Sequence, residues 1–139
     1  MSADFAQNRR VALVTLVVDT YDRAKTFYCE TLGFECLADE PLPDGKRWLV
    51  VKPKGTDGCG LLLAEADGGE QMLAIGNQTG GRVGFFLNTD DFARDHAAML
   101  AKGVHFLEQP RHEIYGSVAV FEDLYGNRWD LLEPSHSPT

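Results

Sequence analysis

The 139-residue sequence has no apolar run approaching the roughly 20 residues that span a bilayer, so it predicts no membrane-crossing helix. Met1 to Arg10 is polar and holds no apolar signal core, so secretion is not indicated. Positive charge is scarce. Thirteen Lys and Arg stand against 21 Asp and Glu, a formal net charge of −8, and no basic run is dense enough to track a phosphate backbone. Nucleic acid is therefore set aside as a partner. Only three cysteines occur, Cys29, Cys36 and Cys59, odd in number and without CxxC spacing. They read as small hydrophobes in or near a core and suit a reducing cytoplasm. Catalytic signatures are missing too. His112-Glu113 lacks the HExxH spacing that puts two imidazoles on one helical face. Gly76 to Val83 has the glycines of a phosphate loop, but it lacks the Lys-Ser/Thr pair and leads into a strand. No nucleophile elbow or cofactor fingerprint is present.

What is present is a duplicated pattern. Hydrophobic residues make up 44% of the chain, enough for one compact core at this length. Val11 to Val18 is a β-branched run and predicts a buried strand. Asp19 to Asp22 changes the period, and Ala24, Phe27, Tyr28 and Leu32 mark one helical face, stopped at Gly33. Phe34 to Ala38, Arg47 to Val51 and Leu61 to Ala64 follow as strands, with a turn at Pro41 to Gly45. The second half repeats this β-α-β-β-β order. Val83 to Leu87 is a strand, a helix runs from about Asn88 to Gly103, and Val104 to Leu107, Ser117 to Phe121 and Arg128 to Leu132 are strands. Matched residue by residue, Leu16 corresponds to Phe85, Asp22 to Asp91, Gly33 to Gly103 and Leu63 to Leu131; the repeat is weak in identity but keeps its element order. Asp67 to Gly81 reads as the joint between the halves, where Asn77, Gln78 and Thr79 form either a flexible turn or a polar lip.

Two motifs sit in this frame. One is Asp19-Thr20-Tyr21-Asp22-Arg23-Ala24 followed by Phe27-Tyr28 and Leu32-Gly33-Phe34; the other is Phe121 to Leu131, with Asp123, Gly126 and Asn127 in a D-x-x-G-N frame. The sequence resembles the vicinal oxygen chelate superfamily, which includes glyoxalase I, extradiol dioxygenases, and fosfomycin- and bleomycin-resistance proteins. The resemblance implies an α+β fold of two tandem βαβββ modules, each a curved mixed sheet backed by one helix. It covers residues 10–134 as a single domain, with module one at about 10–66 and module two at about 82–134. It also implies a cup on each sheet and cavities assembled across a homodimer.

Enzymes of this superfamily usually hold a divalent metal with His, Glu or Gln from both modules. The corresponding positions here read Leu13, Leu62, Arg82 and Asp130. Leucine has no lone pair to give and arginine only donates. No metal or other cofactor is therefore expected, and a divalent ion would mean that the alignment is wrong. Strand alternation sends Leu16 and Val18 to the helix side, with Val14, and Leu13, Thr15 and Val17 to the cup. If Leu49 and Val51 face the cup, Trp48 faces the helices. Asp130 in the cup sends Trp129 the other way and leaves Phe86 and Phe121 for the cavity.

The candidate ligand-binding residues are thus Leu13, Phe86, Phe121, Tyr115 and His112. Three functions compete. The first is a module that binds a small organic molecule without the metal quartet. The second is a lyase, dioxygenase or isomerase type of enzyme with Asp130 as base and Arg82 holding an oxyanion or carboxylate. The third is a protein that acts through protein contacts, with its cavity filled. Asp130 and Arg82 are expected to pair in the cup, unless Arg82 belongs to the Gly80-Gly81 turn and points to solvent.

Overall fold

A computed structural model describes residues 4, 5, 7–55 and 58–135. The first half contains β1 (Leu13–Val18), α1 (Tyr21–Thr26), β2 (Glu35–Pro41), β3 (Arg47–Lys52) and β4 (Gly60–Glu65). A π turn, Phe27–Thr31, extends α1. The second half contains β5 (Val83–Asn88), α3 (Phe92–Ala101), β6 (His105–Phe106), β7 (Arg111–Glu113), β8 (Gly116–Glu122) and β9 (Arg128–Pro134). Between them lies α2 (Gly69–Ala74), a short helix inside the stretch read from sequence as a bare joint.

The strands form two mixed sheets. The first has the order β1-β4-β3-β2 and the second β5-β9-β8-β6, with β7 also pairing to β8. In each, the first strand runs parallel to the last and all other pairs are antiparallel. This is the α+β fold of two βαβββ modules. It adds a second piece of strand, β7, after β6, and the helix α2.

Both main helices start and stop on local chemistry. The Thr20 hydroxyl accepts from the Arg23 amide at the start of α1, and the Asp91 carboxylate accepts from the Arg94 amide at the start of α3. Gly33 and Gly103 lie at φ 75° and 84° just past the two helical segments, where a side chain would be strained. The caps place Thr20 and Asp91 in equivalent positions. Strand register agrees, since Leu16 lies beside Leu63 and Leu87 beside Leu131. Leu16 therefore corresponds to Leu87, not Phe85, and Asp91 to Thr20, not Asp22. Pairing Asp22 with Asp91 therefore slips the first strand and helix of module two by two residues.

The helix-side faces of both sheets share one core. Leu16, Val18, Leu49, Val51 and Leu63 from the first sheet and Ala119, Phe121 and Leu131 from the second are fully buried in it. Trp129 packs at its centre, stacked on Phe85 at 4.7 Å and near Tyr28 and Phe34. Tyr28 comes from module one and donates its hydroxyl to Asp123 of module two at 2.6 Å. Asp123 also accepts from the amides of Tyr125 and Asn127 and from the Asn127 side chain. The D-x-x-G-N motif is thus a closed turn around one buried carboxylate, and the Phe-Tyr motif supplies the hydroxyl that reaches it. Tyr125 in that turn donates back to Asp19 at 2.6 Å.

The linker is also ordered by specific bonds. Gln78 accepts from the Val17 amide and donates to the Thr15 carbonyl, taking the place of a neighbouring strand along the free edge of β1. Gln78 is therefore not part of a loose turn but clips the linker to module one. No described helix is long and apolar enough to cross a membrane.

Candidate functional site

Each sheet has a second face, turned away from the helices. Cross-strand partners share a face, so register assigns it. On the first sheet Thr15 lies beside Leu62 and Val50 beside Leu62, with Leu13 and Trp48 two residues away in the same parity. On the second sheet Phe86 lies beside Asp130 and Val120 beside Asp130. Arg111 lies beside Val118, which lies beside Leu132, so Arg111 joins the same face. The first open face carries Leu13, Val50, Leu62 and Trp48 together with Thr15 and, beside Trp48, Glu40. The second combines an aromatic ring with charge.

Asp130 is the chemically distinctive residue there. Its Oδ1 is buried and has no hydrogen-bond partner among the described residues. Burial pushes its pKa above the ordinary carboxylate value; the Arg111 charge opposes that shift and Glu108 adds to it. Arg111 is itself engaged. Its Nε donates to Glu108 at 3.0 Å and its Nη1 to Glu113 at 2.5 Å. The Tyr115 side chain, Glu113 and Glu108 together raise its pKa. Glu108 uses its other oxygen to accept from the Val120 amide at 3.0 Å, which fixes it over β8.

These placements revise the sequence expectations. Asp130 and Phe86 do come together, and Phe86 is 64% exposed on the open face. Leu13 lies half-buried on the open face of the other sheet. Phe121 lines no open surface. It pairs with Trp129 rather than Asp130, is fully buried and stacks on that indole at 5.9 Å. Trp48 and Leu49 are exchanged relative to the expectation, with Leu49 and Val51 in the core and Trp48 40% exposed.

His112 lies beside Ser117, on the face opposite Arg111, and its Nδ1 is 3.0 Å from the Ser117 hydroxyl. Tyr115 is half-exposed in the β7–β8 turn, and its carbonyl accepts from Ser135. Arg82 is exposed just before β5 and forms no ion pair among the described residues. The cation acting on Asp130 is Arg111, not Arg82. Reading alternation through Arg111-His112-Glu113 would have found it, but a three-residue strand after Pro110 gave too short a pattern to read.

Register also tests the implied metal positions. Leu13 lies beside Gly60, and the matching residue in module two is Val83, beside Arg128, with Gly84 inserted as a bulge. The four positions therefore read Leu13, Leu62, Val83 and Asp130. One carboxylate among them can donate a lone pair, and no group of three His, Cys, Asp or Glu side chains suited to a metal forms among the described residues. This donor set does not fit the metal quartet.

The sequence model of the Glyoxalase/Bleomycin resistance protein/Dioxygenase superfamily matches residues 10–131. The chain belongs to this superfamily. Over 121 residues it is 52% identical to an uncharacterised protein of Shewanella frigidimarina (strain NCIMB 400), covering 86% of this chain and 90% of that one. Among solved structures, UcmS2 superposes with a TM-score of 0.78 at 29% identity, covering 91% of this chain and 98% of that one. TnmS3, an antibiotic binding protein from Streptomyces sp. CB03234, superposes with a TM-score of 0.75 at 34% identity, covering 94% of this chain and 100% of that one. Within the superfamily frame, the Tyr28–Asp123 bond and the Asp123 turn account for both sequence motifs as architecture.

Proposed function

We propose that this protein binds a small organic molecule on the open faces of its sheets, without a divalent metal or other cofactor. The observation that carries the reading is the second sheet's open face, where an exposed Phe86 ring flanks a carboxyl group with an unpartnered oxygen. An apolar, aromatic surface with a few fixed polar groups is the usual composition of a small-molecule site. The likeness to TnmS3, an antibiotic binding protein, supports it.

A homodimer completes the site in this reading. Each open sheet face is half a cavity, and the other chain's complementary module closes it. The three unpaired cysteines suit a cytoplasmic location.

Calorimetric titration with a panel of aromatic antibiotics tests the binding. A dissociation constant below about 1 mM for at least one compound, with less than about 0.1 metal ion per chain by elemental analysis, is the expected result. A stoichiometric divalent ion overturns the metal-free part, and no binding across the panel overturns the rest.

The raised Asp130 pKa favours one second reading, an isomerase or lyase in which this carboxylate is the general base. A ligand recovered chemically unchanged after long incubation counts against it.

A further inference from the structure

We propose a second binding site, separate from the open faces, in the cleft between the two modules, for a small molecule with an apolar body and an anionic head. The cleft holds about 640 Å³, within the range of about 300–1,000 Å³ usual for small-molecule sites. Module one contributes the segment Thr31 to Phe34 and the turn Pro53 to Gly55. Module two contributes the end of β5 and one face of α3, from Arg94 through Ala98 to Lys102.

The lining divides by chemistry. Phe34 and Met99, almost fully buried, line the cleft together with the fully buried Leu131. Leu32, Leu87 and Ala98 widen that apolar floor. The rim is rich in donors. Lys54 has no ion-pair partner among the described residues. Lys102 spends one N–H on the Glu30 carbonyl at 2.7 Å and keeps two.

Two aspartates also line the cleft, and neither is available to bind a cation. Arg94 donates to Asp90 at 2.8 Å and to Asp95 at 3.0 Å, and Asp95 also accepts from Thr89. The five charged side chains sum to +1, in a chain whose formal net charge is −8. A carboxylate or phosphate head at Lys54 and Lys102, with an apolar body over Met99 and Phe34, complements that lining.

The site is distinct from the open face because β5 and β9 stand between them. Phe86 and Asp130 point to the open face, while Leu87 and Leu131 point to the cleft side.

Calorimetric titration of the full chain with decanoate, and with 1-decanol as its uncharged counterpart, tests the proposal. Decanoate is expected to bind with a dissociation constant below about 1 mM, and decanol at least about tenfold more weakly. The double variant Lys54→Met, Lys102→Met should lose at least about tenfold in decanoate affinity, and Ala98→Phe should abolish it by filling the cleft. Both changes are at the surface, and unchanged circular dichroism establishes that each variant is folded. Methyl NMR should report decanoate at Met99 and Leu131, which line the cleft. The proposal is overturned if decanoate does not bind, if decanol binds equally well, or if either cleft variant binds decanoate like the native chain. Because these readouts do not use the open faces, failure here leaves the open-face reading standing, and failure there leaves this one standing.

Discussion

The hydroxyl of Tyr28 donates to the carboxylate of Asp123 at 2.6 Å, joining residues 95 positions apart in the chain. Burial and the Asp123 charge raise the Tyr28 pKa well above that of a free phenol. The bond is matched by Tyr125 donating to Asp19, so each module gives one tyrosine to an aspartate of the other. Removing the Tyr28 hydroxyl leaves the buried Asp123 short of one of its four donors. Tyr28→Phe is therefore expected to lower stability by about 1–3 kcal/mol, read as a lower urea midpoint with an unchanged slope.

Phe86 and Phe121 give opposite outcomes on truncation. Phe86 is mostly exposed, so Phe86→Ala should change stability by less than about 0.5 kcal/mol while weakening binding of any open-face ligand. Phe121 is fully buried against Trp129 and Phe106, so Phe121→Ala should cost about 3–5 kcal/mol. Chemical denaturation of the two variants beside a binding titration checks the pair. A large stability loss for Phe86→Ala would show that its ring is covered in solution.

Asp130 carries a pH signature. Its folded pKa is raised, so the folded state holds a proton more tightly than the unfolded chain does. Stability from this group is present at low pH and is lost as pH rises above the unfolded value of about 3.9 and through the folded one. Asp130→Asn should raise stability at pH 7 by no more than about 1 kcal/mol, since the residue remains partly exposed. The gain should vanish below about pH 3.5. Thermal melts across that range measure it, and a destabilised Asn variant at pH 7 would contradict it.

Asp39 behaves in the opposite sense. Two hydrogen bonds from Arg47 and one from Lys25 hold its pKa down to about 2. Its contribution is complete above the unfolded value of about 3.9 and is lost as pH falls through the folded value. Asp39→Asn should lower the melting midpoint by about 2–4 °C at pH 6, an effect mostly lost near pH 2 and gone about one unit lower. The carboxylate ties β2 to β3 and to α1, so the same variant should speed amide exchange in β2.

Gln78 replaces a missing strand, which makes its loss specific. Gln78→Ala leaves the Val17 amide and the Thr15 carbonyl at the edge of β1 without their partner. A loss of about 1 kcal/mol is expected, with faster hydrogen exchange confined to the Val17 amide and its neighbours.

Element order and sheet membership were legible because their signals are local. β-branched runs, helix stops at Gly33 and Gly103, and the two motifs each fix a stretch of chain without reference to distant residues. The faces of the strands were harder. A run such as Arg47 to Val51 is apolar on both sides, so alternation cannot say whether Trp48 or Leu49 faces inward; packing against α1 decides it. The same ambiguity misplaced Phe121, whose partner Trp129 lies across the sheet. Arg82 was paired with Asp130 by a slip between modules, which the helix caps correct once Thr20 is seen to do the work of Asp91. The cation that does act on Asp130, Arg111, sits in a three-residue strand too brief to carry a period.

The alternation along β5 and β9 has a consequence for how the protein can change. Phe86 and Asp130 occupy one side of these strands, while Phe85, Leu87, Trp129 and Leu131 occupy the other and hold the core. On the proposed open-face reading, substitutions at the first set would alter what is bound with little disturbance to what folds, because the core residues lie on the other side of the strands. A single-residue insertion in β9 would have the reverse effect. It would turn the carboxyl group inward and the indole outward, removing the proposed ligand surface and the core packing in one step.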